Sequence, residues 1–458
     1  MTFAENFIYN EDTIVAIATP PGEGGIAIIR LSGKDAIQIA NTIFSKEITS
    51  LPSHTVHCGK FRMRTGAHID AGLLLIMRAP SSYTGEDIVE LHCHGNMVIS
   101  ETILGQIIKS GARLAKPGEF TFRAFRNGKI DLTQAEAVQE TIGAKNQLAL
   151  QAAQQHLEGV LSSKIHLLYQ DLLHIAAHIE AWIDYPEEDL EIHTLQGLQK
   201  TLKKVQVSLR KLEQTFEEGR FFATGYRLCL LGSPNVGKSS LMNTLVERDR
   251  SIVTAIPGTT RDLIEEELRI GDIHCRLIDT AGVRSTEEVI EKEGIRKARE
   301  AAAQSDLLLL VLDASRELEE EEIRLLTTLP KEKTIIVWNK IDIAVPSSFA
   351  FDFQEIIALS AIESLHIDRL KAAIQRMIKK CFRTSQEEVF ITQKRHHEIL
   401  DKTLHALHQA QEGLHQSLSP EFISWHIREA LLYLNSFFGG NVSEDILQEI
   451  FSKFCVGK

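Results

Sequence analysis

Apolar positions change rhythm along this chain. Over roughly the first 120 residues they form short β-type runs broken by turns. Thr13–Ala18 and Ile26–Leu31 flank Pro20-Pro21-Gly22-Glu23-Gly24-Gly25, and Ile88–His92 follows Ser81–Gly85. The pattern predicts an α+β domain with Pro117-Gly118 near its end. Beyond about residue 130 the spacing becomes helical. Leu157, Leu161, Ile165, Leu168, Leu172, Ile175, Ile179 and Trp182 form one apolar stripe along a long helix, which Tyr185-Pro186 ends. A second stripe runs through Leu198, Leu202, Val205, Leu209, Leu212 and Phe216. Both stripes predict helix-bundle packing.

The middle of the chain returns to strands. Arg227–Leu231, Ile273–Ile278, Leu307–Leu312, Thr334–Trp338 and Ile356–Leu359 are apolar runs, each leading into a polar loop. Helical spacing then resumes at Leu400, Leu404, Leu407 and Leu414, and at Ile427, Leu431 and Leu434. Neither helical block looks sufficient alone. The expectation is one discontinuous bundle with an α/β domain inserted between its halves, Gly219 and Gly225 marking a junction. The expected division is 1–122 (α+β), 123–220 (helical, first part), 221–382 (inserted α/β) and 383–458 (helical, second part).

Composition narrows the picture. A length of 458 residues favours two to four domains, and 43% hydrophobic with 24% charged residues is ordinary for a globular chain. No apolar stretch approaches the roughly 18 residues that span a bilayer; the longest, Ala71–Met77 and Leu307–Leu312, suit buried strands, so no membrane insertion is expected. Glu5, Glu11 and Asp12 are unlike a signal peptide, and the six cysteines (Cys58, Cys93, Cys229, Cys275, Cys381, Cys455) lack paired spacing, as a reducing cytoplasm favours. The net charge of −12 repels nucleic-acid backbones, so any such contact needs a local patch or a partner.

The chemistry sits in the central loops. Gly232-Ser233-Pro234-Asn235-Val236-Gly237-Lys238-Ser239 fits G-x-x-x-x-G-K-[ST] between a strand and a helix. Glycines let backbone N–H groups close around phosphates at a helix N-terminus; Lys238 reaches the β/γ-phosphates and Ser239, followed by Ser240, binds Mg²⁺. Asp279-Thr280-Ala281-Gly282 puts an acid beside the metal and a glycine N–H near the γ-phosphate. In Asn339-Lys340-Ile341-Asp342 the last carboxylate can accept from guanine N1–H and N2–H₂, a pair adenine does not offer, and Ser360-Ala361 is the remaining base-side loop. Between these lies Thr254-Ala255-Ile256-Pro257-Gly258-Thr259-Thr260, where Thr260 is assigned to complete the Mg²⁺ shell in a nucleotide-dependent switch. Four motifs in order, each after a strand, predict a Ras-like P-loop GTPase domain with a doubly wound, mostly parallel sheet. Val283 stands where Ras-type GTPases place the water-orienting glutamine, so either hydrolysis is feeble or the water-orienting group comes from elsewhere. Glu287, Glu288, Glu291 and Glu293 are the nearest supply.

Outside the central domain, Thr19–Arg30 (T-P-P-G-E-G-G-I-A-I-I-R), Ser82–His92 (S-Y-T-G-E-D-I-V-E-L-H), Pro117–Leu132 (P-G-E-F-T-F-R-A-F-R-N-G-K-I-D-L) and the tail Cys455-Val456-Gly457-Lys458 resemble the MnmE (TrmE) family of tRNA-modification GTPases, nearly end to end. The resemblance implies a K⁺-stimulated GTPase, with Asn235, Thr254, Ile256 and Thr259 around the potassium and Glu291 orienting the water, or Glu293 in a shifted register. It implies a homodimer whose N-terminal domain binds 5-formyl- or 5,10-methylene-tetrahydrofolate through Arg30, Glu90, Lys129 and Lys458. It further implies a heterotetramer with the FAD-dependent MnmG, a carboxymethylaminomethyl or aminomethyl group added at C5 of the tRNA wobble uridine, and a catalytic part for Cys455. Asn96 stands where relatives often carry glycine, and Ser233, Val236 and Val456 replace commoner residues.

Arg113, Lys116, Arg123, Arg126 and Lys129, interleaved with Phe120, Phe122 and Phe125, read either as a receptor for a folate tail or RNA phosphate, or as a solvated helix face. His92 and His94 share a strand face without a further ligand pair, which argues against a metal site. A lone Cys455 near Phe451 and Phe454 also fits a buried small apolar group. The rival readings are a ribosome-assembly or RNA-chaperone GTPase, and a folate-dependent one-carbon enzyme regulated by GTP.

Overall fold

The computed structural model describes residues 12–185, 192–249, 265–271, 273–279, 305–346, 351–380 and 389–458. They cluster into two compact units, Met1–Ile142 with Ala153–Leu209 and Glu398–Lys458, and Gly143–Ala152 with Arg210–His397.

The first unit opens with a six-stranded sheet: β1 (Ile14–Ile17), β2 (Gly24–Ser32), β3 (Thr55–Arg62), β4 (His68–Met77), β5 (Ile88–Gly95) and β6 (Arg113–Leu114), ordered β3-β4-β5-β2-β1-β6. Pairing is antiparallel except between β1 and β6. Alternation assigns the faces: Ile29 and Leu31 of β2 join Leu74, Ile76 and Leu91 in a core closed by Ile103 and Ile107 of the helix Met97–Lys109. Arg30 points the other way, directly opposite Glu90. Asn96 caps that helix, its side chain accepting from the N–H groups of Val98 (2.9 Å) and Ile99 (3.3 Å), which gives this departure from the family pattern a local purpose.

The helices follow. Gln147–Leu157 ends before Gly159, and Val160–Asp184 begins after it, so the first apolar stripe spans a break: Leu157 belongs to the earlier helix. The four-residue step from Leu157 to Leu161 imitates one helical turn, so periodicity could not reveal the interruption. Leu161, Ile165, Leu172 and Ile179 are buried, and the helix Pro420–Asn435 packs along Val160–Asp184, with Arg428 paired to Glu180 at 2.7 Å. Sequence-distant helices thus share one bundle.

The second unit holds β7 (Tyr226–Leu231), β8 (Glu265–Ile270), β9 (Ile273–Asp279), β10 (Leu307–Asp313), β11 (Thr334–Asn339) and β12 (Glu355–Ala358), ordered β12-β11-β10-β7-β9-β8. All neighbours are parallel except β8 and β9. β10 is buried along its whole length because both faces are covered. Leu309 and Val311 pack with Leu241, Leu245 and Ile374 on one face; Leu308 and Leu310 pack with Leu325, Leu326 and Trp338 on the other. This is a doubly wound α/β sheet. Chain order reverses direction between β7 and β10, so the carboxyl ends of these strands open the crevice where such folds bind ligands.

Candidate functional site

The loop after β7 enters the helix Lys238–Asp249 through Gly232–Gly237. A Cβ on Gly232 would lie 2.2 Å from the Val311 carbonyl of β10, and one on Gly237 would lie 2.1 Å from Asn339 Nδ2. Both positions are also left-handed (φ 141° and 97°), so backbone approach and backbone conformation each select glycine. Asn235 takes φ 61°, a conformation asparagine tolerates. Val236 is fully buried, whereas Ser239, in the first helical turn, is exposed. Lys238 Nζ lies across the loop, donating to the carbonyls of Gly232 (2.8 Å) and Ser233 (2.7 Å). The N–H groups of a helix start, with an ammonium over them, form an anion-binding cradle.

Asn339 ends β11 and is buried. Its Nδ2 donates to the Val236 carbonyl at 2.9 Å and its Oδ1 accepts from the Ala361 N–H at 2.9 Å. One side chain therefore joins the phosphate loop to the Ser360-Ala361 loop, and Thr244 Oγ1 adds a bond to the Ala361 carbonyl (2.9 Å). Lys340, at φ 68°, pairs with Asp313 of β10 at 2.5 Å. Burial alone would raise the Asp313 carboxyl, but Lys340 and the Ser315 hydroxyl and N–H hold it below the usual range. Asp342 is exposed at the same edge, its carboxylate open to a ligand. Sequence reasoning missed the Asp313–Lys340 pair and the bridging duty of Asn339; an acid closing a wholly apolar strand was the available signal for the first.

Asp279 closes β9, beside Leu230 of β7. Thr254, Ala255, Ile256, Pro257, Gly258, Thr259, Thr260, Thr280, Ala281, Gly282, Glu291 and Glu293 lie outside the described residues.

In the first unit, Arg30 Nε donates to Glu90 Oε1 (2.8 Å) and Arg30 Nη1 to the Gly457 carbonyl (3.2 Å), with the guanidinium 5.8 Å from the Phe120 ring centre. The Phe120 N–H in turn donates to the Lys458 carbonyl (3.2 Å). The chain end is thereby seated beside Arg30 and Glu90. Burial and then the Arg30 charge push the Lys458 ammonium below its usual range, partly offset by Glu90. Two cations and a carboxylate converge there. Lys129 is held elsewhere, its Nζ donating to the Pro80 carbonyl (3.0 Å). Cys455 is exposed, so it is not the buried apolar group that its phenylalanine neighbours suggested.

The basic-aromatic stretch is largely consumed by the fold. Arg113 pairs with Asp12 (2.7 Å) and Glu119 (2.7 Å); Arg123 pairs with Asp12 (2.8 Å), Glu86 (3.1 Å) and Glu119 (3.1 Å). Phe120 is buried, while Phe122 and Phe125 pack on Phe451. His94 Nδ1 pairs with Asp70 (2.8 Å), and among the described residues no cluster of His, Cys, Asp or Glu could hold a metal ion. Among the same residues no helix is long and apolar enough to cross a membrane.

Two family models match, the GTP-binding protein TrmE N-terminus over residues 13–129 and the MnmE helical domain over 132–455. The tRNA modification GTPase MnmE of Protochlamydia amoebophila (strain UWE25) is 47% identical over 458 residues, covering 100% of both chains. That of Syntrophotalea carbinolica is 43% identical, covering 98% of this chain and 100% of its own. Aquifex aeolicus Era bound to GDP·AlF4⁻ is 21% identical over 41% of this chain and 66% of its own, at a TM-score of 0.27, too low to bear on the fold.

Proposed function

The chain belongs to the MnmE family of tRNA modification GTPases, and on that premise we propose that it hydrolyses GTP to drive modification at C5 of the wobble uridine of certain tRNAs. The observation that carries the nucleotide half is the Asn339 bridge, which gathers the phosphate loop and the base-side loop at one sheet edge. In this reading Gly237, Lys238, Ser239 and Ser240 take the phosphates and Mg²⁺, Asp279 and Thr260 complete the metal environment, and Asn339, Lys340, Asp342, Ser360 and Ala361 hold guanine. Asn235, Thr254, Ile256 and Thr259 hold K⁺, which supplies charge stabilisation where other GTPases use an arginine finger. Glu291 orients the water.

Arg30, Glu90 and Lys458 suit a ligand bearing both carboxylates and N–H donors, and tetrahydrofolate is such a ligand; it supplies the one-carbon unit when bound. The chain's own groups there orient it, with Glu90 as acceptor and the two cations facing negative charge. Lys129 requires a shift from Pro80 to join them. Exposed Cys455 is available to the modification chemistry. A homodimer, the FAD-dependent MnmG partner and a cytoplasmic setting complete the reading.

The deciding experiment compares nucleoside digests of tRNA from deletion and wild-type cells. Loss of the C5 modification at wobble uridines is expected; an unchanged profile overturns the reading.

A further inference from the structure

A chain of net charge −12 needs a local cationic surface to hold RNA, and Arg113 and Arg123 contribute little to one because carboxylates of the fold neutralise both guanidiniums. The helix Ile192–Gln214 offers an alternative. Leu198, Leu202, Val205, Leu209 and Leu212 are buried, whereas Lys200, Lys203 and Lys204 share one exposed turn. Beside them, between this helix and Val160–Asp184, lies a groove of about 530 Å³ lined in part by Gln170, Asp171, His174, His178 and Thr201. Gly197 also lines it, and a Cβ there would meet nothing, so the groove is open at that point. The two imidazoles stand edge to face, 5.1 Å apart at 84°. The acid in the lining, Asp171, is paired with Lys204 at 3.4 Å, and the two side chains are 36% and 71% exposed. A solvent-screened pair of that kind is worth little, so a phosphate can take over Lys204.

We propose that this groove grips the backbone of the tRNA, Lys200, Lys203 and Lys204 lying on phosphates and one unstacked nucleotide resting against His174 and His178. The volume admits a single nucleotide rather than a duplex, which selects a loop or splayed strand. Such RNA is recognised by flat rings that stack on bases and by side chains that bond the 2′-hydroxyl, as the Gln170 amide and the Thr201 hydroxyl can do. The proposal rests on tRNA being the substrate.

The test is equilibrium binding of the full-length, GDP-bound protein to an unmodified tRNA transcript carrying a wobble uridine, in KCl from about 50 to 200 mM. Every phosphate that a lysine ceases to neutralise takes about 0.7–0.9 from the slope of log K against log salt, so K200Q/K203Q/K204Q should flatten it by about 2 to 3 and weaken binding at least about tenfold. Circular dichroism and the tRNA-free rate of GTP hydrolysis should stay unchanged. The arginine triple K200R/K203R/K204R should keep the slope, and H174A/H178A should weaken binding without altering it. Wild-type slope and affinity in the glutamine triple overturn the groove; failure of the wild-type protein to bind tRNA overturns the substrate reading instead.

Discussion

Gly237 and Asn339 meet with no room between them: a Cβ on the glycine would fall 2.1 Å from the asparagine Nδ2, which already donates to the adjacent Val236 carbonyl at 2.9 Å. The Gly232–Gly237 loop and the Ser360-Ala361 loop therefore share one buried amide. Asn339→Ala leaves the Val236 carbonyl and the Ala361 N–H without it, each buried group costing about 1–3 kcal/mol. Urea denaturation should show that loss in the nucleotide unit, with GDP affinity, measured by calorimetry, falling at least about tenfold, or about 1.4 kcal/mol.

On the proposed reading, the exposed Asp342 carboxylate distinguishes guanine. Asp342→Asn should weaken GDP and strengthen XDP, because the amide can donate to the xanthine 2-carbonyl where the carboxylate cannot. Competition binding of the two diphosphates reads the ratio, and an unaltered preference removes Asp342 from base recognition.

Potassium supplies a further test. Replacing K⁺ by Na⁺ should slow hydrolysis by at least about tenfold, since a removed transition-state charge partner commonly costs more than that. Asn235→Ala should abolish the difference between the salts; equal wild-type rates in both would refute the potassium role of Asn235.

Acid should loosen the N-terminal unit. Burial alone would raise the Asp12 carboxyl, but hydrogen bonds and charge, from Arg113 and then Arg123, hold it below the ordinary value of 3.8. A carboxylate with a depressed folded pKa contributes stability that is complete above the unfolded value and disappears as pH falls through the lower folded one. Denaturation midpoints should thus drop below about pH 4 in the wild type, and drop less in Asp12→Asn. Arg123→Met, which takes the cation from Glu86 and leaves Asp12 and Glu119 sharing Arg113 alone, should cost about 3–5 kcal/mol at neutral pH.

The seated chain end makes the last prediction. Arg30→Ala removes the donor that holds both Glu90 and the Gly457 carbonyl. Tetrahydrofolate affinity, followed by fluorescence, should fall at least about tenfold, or about 1.4 kcal/mol, while GTP hydrolysis stays at the wild-type rate. Unchanged folate binding would leave Arg30 a purely structural residue.

Whatever is encoded locally could be read from the residues alone. Strand, loop and helix follow one another in the central unit because each glycine, lysine and carboxylate is specified by the backbone beside it, and the period of the apolar residues names the element that carries them. Ile273–Ile278 and Thr334–Trp338 were therefore readable as strands, and Gly232–Ser239 as a turn from strand to helix, without coordinates. Which charges remain available is set by contacts between residues far apart in the chain. Arg113 reads as an open cation until Asp12, 101 positions away, neutralises it, and Cys455 reads as core until its surroundings leave it exposed. Periodicity records which face of an element is apolar; it carries no information about which distant side chain arrives to face a given charge, and that pairing determines whether the charge is left for a ligand.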